Sequence, residues 1–113
     1  MLNDSTDLDR AFAALADPVR RGMLARLSRG PASVSELAAP LPISLPAVMQ
    51  HLKALETSGL VASEKKGRVR TVRLEGDALA EAESWLTRRR KEWEAQLDRF
   101  ENYLSTLQKN GEE

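Results

Sequence analysis

Between positions 33 and 61 the chain reads SVSELAAPLPISLPAVMQHLKALETSGLV, and its punctuation favours two short helices in close succession. Ser33 with Glu36 three residues on is a capping box: the hydroxyl can accept from the Glu36 N–H while the carboxylate reaches back to the Ser33 N–H. Pro40 and Pro42 keep that helix to under two turns. Ser44 caps the next helix. Pro46 falls at its second position, inside the first turn, where an N–H has no intrahelical partner, so the proline starts the helix instead of breaking it. Val48, Leu52 and Leu55 stand at i, i+4 and i+7 and form one face for burial. Pro46, Gln50, Lys53 and Ala54 point the opposite way, with Ala47 at the border and His51 on the flank. Gly59 suits a left-handed C-cap, with Leu60 as its hydrophobic contact. Two helices joined by a turn of about four residues predict a helix-turn-helix.

The flanking sequence extends that motif. Upstream, Leu8, Ala11, Phe12 and Leu15 predict an amphipathic helix over 7–16, behind a terminus of six residues expected to fray. Asp17-Pro18 then caps and opens a second helix, with Val19, Met23, Leu24 and Leu27 inward and an end near Gly30-Pro31. Downstream, 61–65 and 69–74 read as two strands turning at Lys66-Gly67, so a ribbon tipped with Lys65, Lys66, Arg68 and Arg70 follows the helix-turn-helix. That order predicts a mainly α fold with a small β-hairpin, a winged helix. The winged helix-turn-helix covers 1–75, with the motif itself at 33–59 and the wing at 61–74.

From Gly76 to about Lys109 nothing breaks a helix. Leu79, Leu86, Trp93, Leu97, Phe100, Leu104 and Leu107 keep a seven-residue repeat, with Arg90 in one seam position. Such a helix, about 45 Å long for some 30 residues, outreaches what a small domain can cover. The seam predicts a partner, most economically the same helix of a second subunit, and assigns 76–110 to a long C-terminal dimerisation helix of the same compact domain.

Composition removes other classes. At 113 residues the chain holds one small domain. It has no cysteine, which excludes disulfides and thiolate metal sites and makes the cytoplasm the expected compartment. The acidic start MLNDSTDLD resembles neither a secretory signal nor a transit peptide, and no apolar run approaches a membrane span of about 20 residues. Seventeen basic and seventeen acidic residues cancel, but unevenly: 44–75 carries a net charge of +3 and the chain from Glu92 onward −4.

A helix bound in the major groove needs a buried face to hold it and polar side chains aimed at base edges. Gln50 has the paired donor and acceptor that match adenine, and Lys53 can neutralise phosphate or reach guanine. The bland alternative is a helical bundle whose fourth helix is merely amphipathic; the basic hairpin that follows favours DNA. For His51, the only histidine, catalysis and metal binding have no supporting residues, and two readings stay open: an edge-of-core histidine, or a contact to phosphate or a base edge. Arg88-Arg89-Arg90-Lys91, followed by Glu92 and Glu94, reads as a solvated face with weak ion pairs rather than a nucleic-acid patch. Trp85 and Trp93 read as packing and interface residues. No convergent nucleophile, base and orienting group points to an enzyme.

ALADPVRRGMLARL at 14–27, the stretch from 33 to 61 and GRVRTVRL at 67–74 together resemble the ArsR family of bacterial winged-helix repressors. The resemblance implies a homodimeric regulator of a palindromic promoter site on double-stranded DNA, with no membrane association and an effector the sequence leaves unspecified. It carries DNA contact onto Ser44, Leu45, Ala47, Gln50, His51, Lys53, Lys66, Arg68 and Arg70. It implies a dimer interface from the first and last helices, here Leu8, Phe12, Leu86, Trp93, Leu97, Phe100, Leu104 and Leu107. Two departures matter. Met49 stands where serine is frequent. Ser33 and Ser35 replace the cysteines of thiophilic-metal sensors, and the last helix has no histidine, so no metal or other cofactor is expected. The WLTRRRKEWEAQLDRFENYL helix is similar to a metal-independent branch of the family. A winged-helix module that binds a partner helix along its seam is the alternative function.

Overall fold

Three of the helices start where a side chain satisfies orphan N–H groups. The computed structural model describes residues 4–111, and α1 (Asp4–Leu15) begins three residues before the predicted start. Residues 1–3 of the terminus expected to fray lie outside the described residues. Asp17 caps α2 (Pro18–Leu27) by accepting from the Val19 and Arg20 N–H groups at 2.8 and 3.2 Å. Ser33 and Glu36 form the predicted reciprocal box at the head of α3 (Val34–Ala38), at 2.9 and 3.0 Å. Ser44 Oγ accepts from the Ala47 N–H at 3.3 Å at the start of α4 (Leu45–Thr57), with Pro46 in the first turn.

Helix α4 ends as its glycine requires. Gly59 has φ +81°, its N–H donates to the Glu56 carbonyl, and the Leu60 N–H reaches back to Leu55, both at 3.0 Å. This pattern closes the last carbonyls and turns Leu60 into the core.

Three strands follow from two sources. β2 (Val61–Lys66) and β3 (Val69–Leu74) form the predicted hairpin, with Lys66 paired to Val69 and the two-residue turn at Gly67-Arg68, one position later than the sequence suggests. Gly67 takes φ +63° as the first turn residue, which suits the tight loop. β1 (Ala32–Ser33) is a third, unpredicted strand, antiparallel to β3 with Ala32 opposite Val72, giving the order β1-β3-β2. It ties the residue that caps α3 to the central strand of the wing.

Met23, Leu27, Leu37, Val48, Leu52, Leu55, Leu60, Val61 and Val72 share one buried cluster, with Val19 and Leu24 half-buried against it. α4 is therefore fixed by α1, α2 and the sheet together. α5 (Gly76–Gly111) is the predicted long helix. The chain divides into two compact units, one ending at Ala82 and one beginning at Glu83. In the second unit every described residue from 91 on is exposed. The basic run there behaves as a solvated face: Arg90 pairs with Glu94 at 3.8 Å, and Arg89, rather than Arg88, pairs with Glu92 at 2.8 Å while its guanidinium lies over the Trp85 ring.

Candidate nucleic-acid interface

Burying Val48, Leu52 and Leu55 forces the rest of α4 into three directions, because successive residues advance about 100°. Gln50 and Lys53 point outward, and both side chains are exposed with no hydrogen bond or ion pair to any described residue. On one flank lie Ala47, Ala54 and His51, facing α1 and α2. On the other lie Leu45, Met49 and Glu56, facing the hairpin. Ser44, at the head of the helix, is exposed.

His51 is half-buried and engaged. Its Nδ1 lies 3.3 Å from Nη1 of Arg20, whose Nε and Nη2 donate to the carbonyls of Ala14 and Ala13 at 2.7 and 3.1 Å. A guanidinium can only donate, so Nδ1 is the acceptor and Nε2 carries the proton of the neutral ring. Arg20 thereby joins the last turn of α1 to the flank of α4. Beside it, burial pulls the Asp17 carboxyl up, but the N–H groups of Arg20 and Val19, with the charge of Arg20, hold it below its ordinary 3.8.

The wing divides in the same manner. Lys65, Lys66 and Arg68 are exposed at the hairpin end, and their side chains make no hydrogen bond or ion pair to any described residue. Arg70 is half-buried, and its Nη1 donates to Ser63 Oγ at 2.9 Å, while the Ser63 hydroxyl donates to the Glu56 carboxylate. This chain of bonds connects the base of the wing to α4 and holds Arg70 against Ser63. Of the residues expected to meet nucleic acid, Gln50, Lys53, Lys66 and Arg68 keep their polar ends open, whereas His51 and Arg70 each spend one hydrogen-bonding position inside the fold. Arg20, Ser63 and Glu56 had no sequence signal as partners, because their contacts join residues 7 to 31 positions apart.

The residues expected at a subunit interface fall on two elements. Leu8 and Phe12 are half-buried on α1. Leu86, Trp93, Leu97, Phe100, Leu104 and Leu107 are exposed along α5, joined by Tyr103, which the seven-residue repeat does not include. No group of three or more histidine, aspartate or glutamate side chains able to hold a metal occurs among the described residues, and no helix there is long and apolar enough to cross a membrane.

Residues 15–64 match the family model described as a helix-turn-helix domain. The HTH-type transcriptional regulator Rv2034 of Mycobacterium tuberculosis is 50% identical over 72 residues, spanning 64% of this chain and 67% of that protein. A crystal structure of an ArsR family transcriptional regulator superposes with a TM-score of 0.78 at 47% identity, covering 83% of this chain and 97% of the other. The solution structure of a homodimeric winged helix-turn-helix DNA-binding domain from Mycobacterium bovis, described as a possible ArsR-family regulator, gives 0.61 at 26% identity over 73% of this chain and 78% of that one.

Proposed function

The chain belongs to the ArsR family of winged helix-turn-helix transcriptional regulators, and on that premise we propose that it is a homodimeric repressor occupying a palindromic promoter site in the cytoplasm. DNA-binding regulation of transcription is the activity of the family. The observation that carries the finer reading is the row of uncommitted polar side chains: Gln50 and Lys53 on the outward face of α4 and Lys66 and Arg68 on the wing.

In this reading α4 enters the major groove. The helix start at Ser44 offers N–H groups to a phosphate, and Leu45 and Ala47 approach the bases closely. Gln50 pairs with adenine through its amide, and Lys53 takes phosphate or guanine. His51 donates from Nε2 to a phosphate while Arg20 holds the ring. Lys66, Arg68 and Arg70 follow the backbone beside the groove. Two such surfaces are brought together by α1 and α5, through Leu8 and Phe12 and the row from Leu86 to Leu107. The homodimeric state described for the similar M. bovis domain supports this pairing.

Selection of bound duplexes from random DNA by the full chain tests the proposal. The expected products are inverted repeats with half-site centres about 34–36 Å apart, one helical turn. Enrichment of no inverted repeat would sink it. The exposed row on α5 also favours a second reading, a module that binds another protein's helix. Sedimentation equilibrium separates the two: a dimer at micromolar concentration supports the repressor, a monomer the interaction module.

A further inference from the structure

In the unit that ends at Ala82, the large apolar side chains left exposed among the described residues are Leu45, Met49, Val69 and Leu79. Three of the four line a single cleft between the start of α4 and the hairpin. Leu45 is 57%, Met49 41% and Val69 53% exposed, although polar side chains could fill these positions without disturbing the core. Leu45 and Met49 are four residues apart and so share one face of α4. Lys65, Arg68 and Arg70 also line the cleft, and no carboxylate does. Ser33 and Ser35 add neutral hydroxyls to the lining. An apolar strip bordered by cations and hydroxyls, with no carboxylate, complements a polyanion that presents apolar groups between its charges.

Duplex DNA offers such a group in the major groove, the C5-methyl of thymine. We propose that Met49, with Leu45 and Val69, reads thymine through that methyl, a specificity element separate from the hydrogen bonds of Gln50. The inference rests on the DNA-binding reading above. An unbranched thioether suits the task, because it adapts to an irregular apolar surface.

The test uses the full chain and the duplex it enriches from random DNA, synthesised once with thymine and once with uracil at every thymine position. Uracil keeps the pairing edge and the O4 acceptor and lacks only the methyl group. Wild-type protein should bind the uracil duplex more weakly, by about fourfold for each methyl buried. Met49→Ala should bind the thymine duplex less tightly and nearly lose the difference between the two. Met49→Leu, of similar volume, should retain it. Equal affinity of wild type for both duplexes, or undiminished discrimination by Met49→Ala, overturns the proposal while leaving DNA binding intact. Failure of wild type to bind either duplex overturns the DNA-binding reading and this inference with it.

Discussion

Helix α4 and the part of α5 beyond Ala82 carry the same apolar spacing and use it in opposite ways. In α4, Val48, Leu52 and Leu55 at i, i+4 and i+7 are at most 4% exposed, covered by α1, α2 and the sheet. In α5, Trp93, Leu97 and Phe100 repeat that spacing, and each is more than half exposed. Periodicity therefore specifies that a helix has an apolar face, and leaves open whether the same chain covers it. What separates the two helices is their surroundings in sequence. α4 is bounded by a cap, a glycine and strands that return the chain over it, whereas every described residue from 91 to 111 is exposed.

The largest expected effect sits on the covered face. Leu55→Ala removes a side chain with no exposure and should cost about 2–5 kcal/mol in urea unfolding, the range for a buried leucine whose cavity cannot collapse. The matching change on the uncovered face, Leu97→Glu, should leave the first unit folded and weaken self-association at least tenfold by sedimentation equilibrium, since it places a charge on the proposed seam. If Leu97→Glu unfolds the first unit as Leu55→Ala does, the contrast between the two faces collapses. If it leaves association unaltered, the seam is not where the subunits meet.

A smaller contrast lies within the nucleic-acid surface, between a side chain that reads and one that holds. Gln50→Ala should cost about 1–3 kcal/mol on the selected duplex and relax the preference at one base position. Arg68→Ala should weaken selected and random DNA alike and lower the slope of log affinity against log salt by roughly 0.9, one phosphate contact. Fluorescence anisotropy on both duplexes across a salt series distinguishes them. Equal losses from both variants on both duplexes would contradict the division of roles.

Local grammar made most of this legible. The caps at Asp17, Ser33 and Ser44, the glycines at 59 and 67 and the buried face of α4 each depend on residues within about one or two helical turns, so sequence spacing determines them. The outward direction of Gln50 and Lys53 follows from the same geometry. What was hidden depends on distant parts of the chain. β1 is two residues long, too short to have a period, and exists because Ala32 and Ser33 meet Val72 and Thr71 across the fold. The inward bonds of His51 and Arg70 arise only once α1, α2 and the hairpin are packed against α4. Such contacts alter what a predicted contact residue can offer: His51 presents Nε2 alone, and Arg70 is held at Ser63.

The smallest effect probes the shortest of the covered helices. α3 is five residues long and depends on its capping box more than a long helix would. The Ser33 N–H, followed by the Ser33 hydroxyl, favours the ionised Glu36 carboxylate and lowers its pKa below the ordinary 4.5, with a smaller contribution from the charge of Arg26. A depressed folded-state value means that the unfolded chain takes up the proton first. The charge-dependent part of the stabilisation is thus complete above the ordinary glutamate range and is lost as pH falls through that range and past the lowered value. Glu36→Gln keeps a side chain able to accept from the Ser33 N–H but removes the titration. Wild type should therefore exceed Glu36→Gln in urea midpoint at pH 6, and the gap should narrow by pH 3. A gap that is the same at both pH values would assign the cap's contribution to shape and neutral hydrogen bonding, with the carboxylate charge adding nothing.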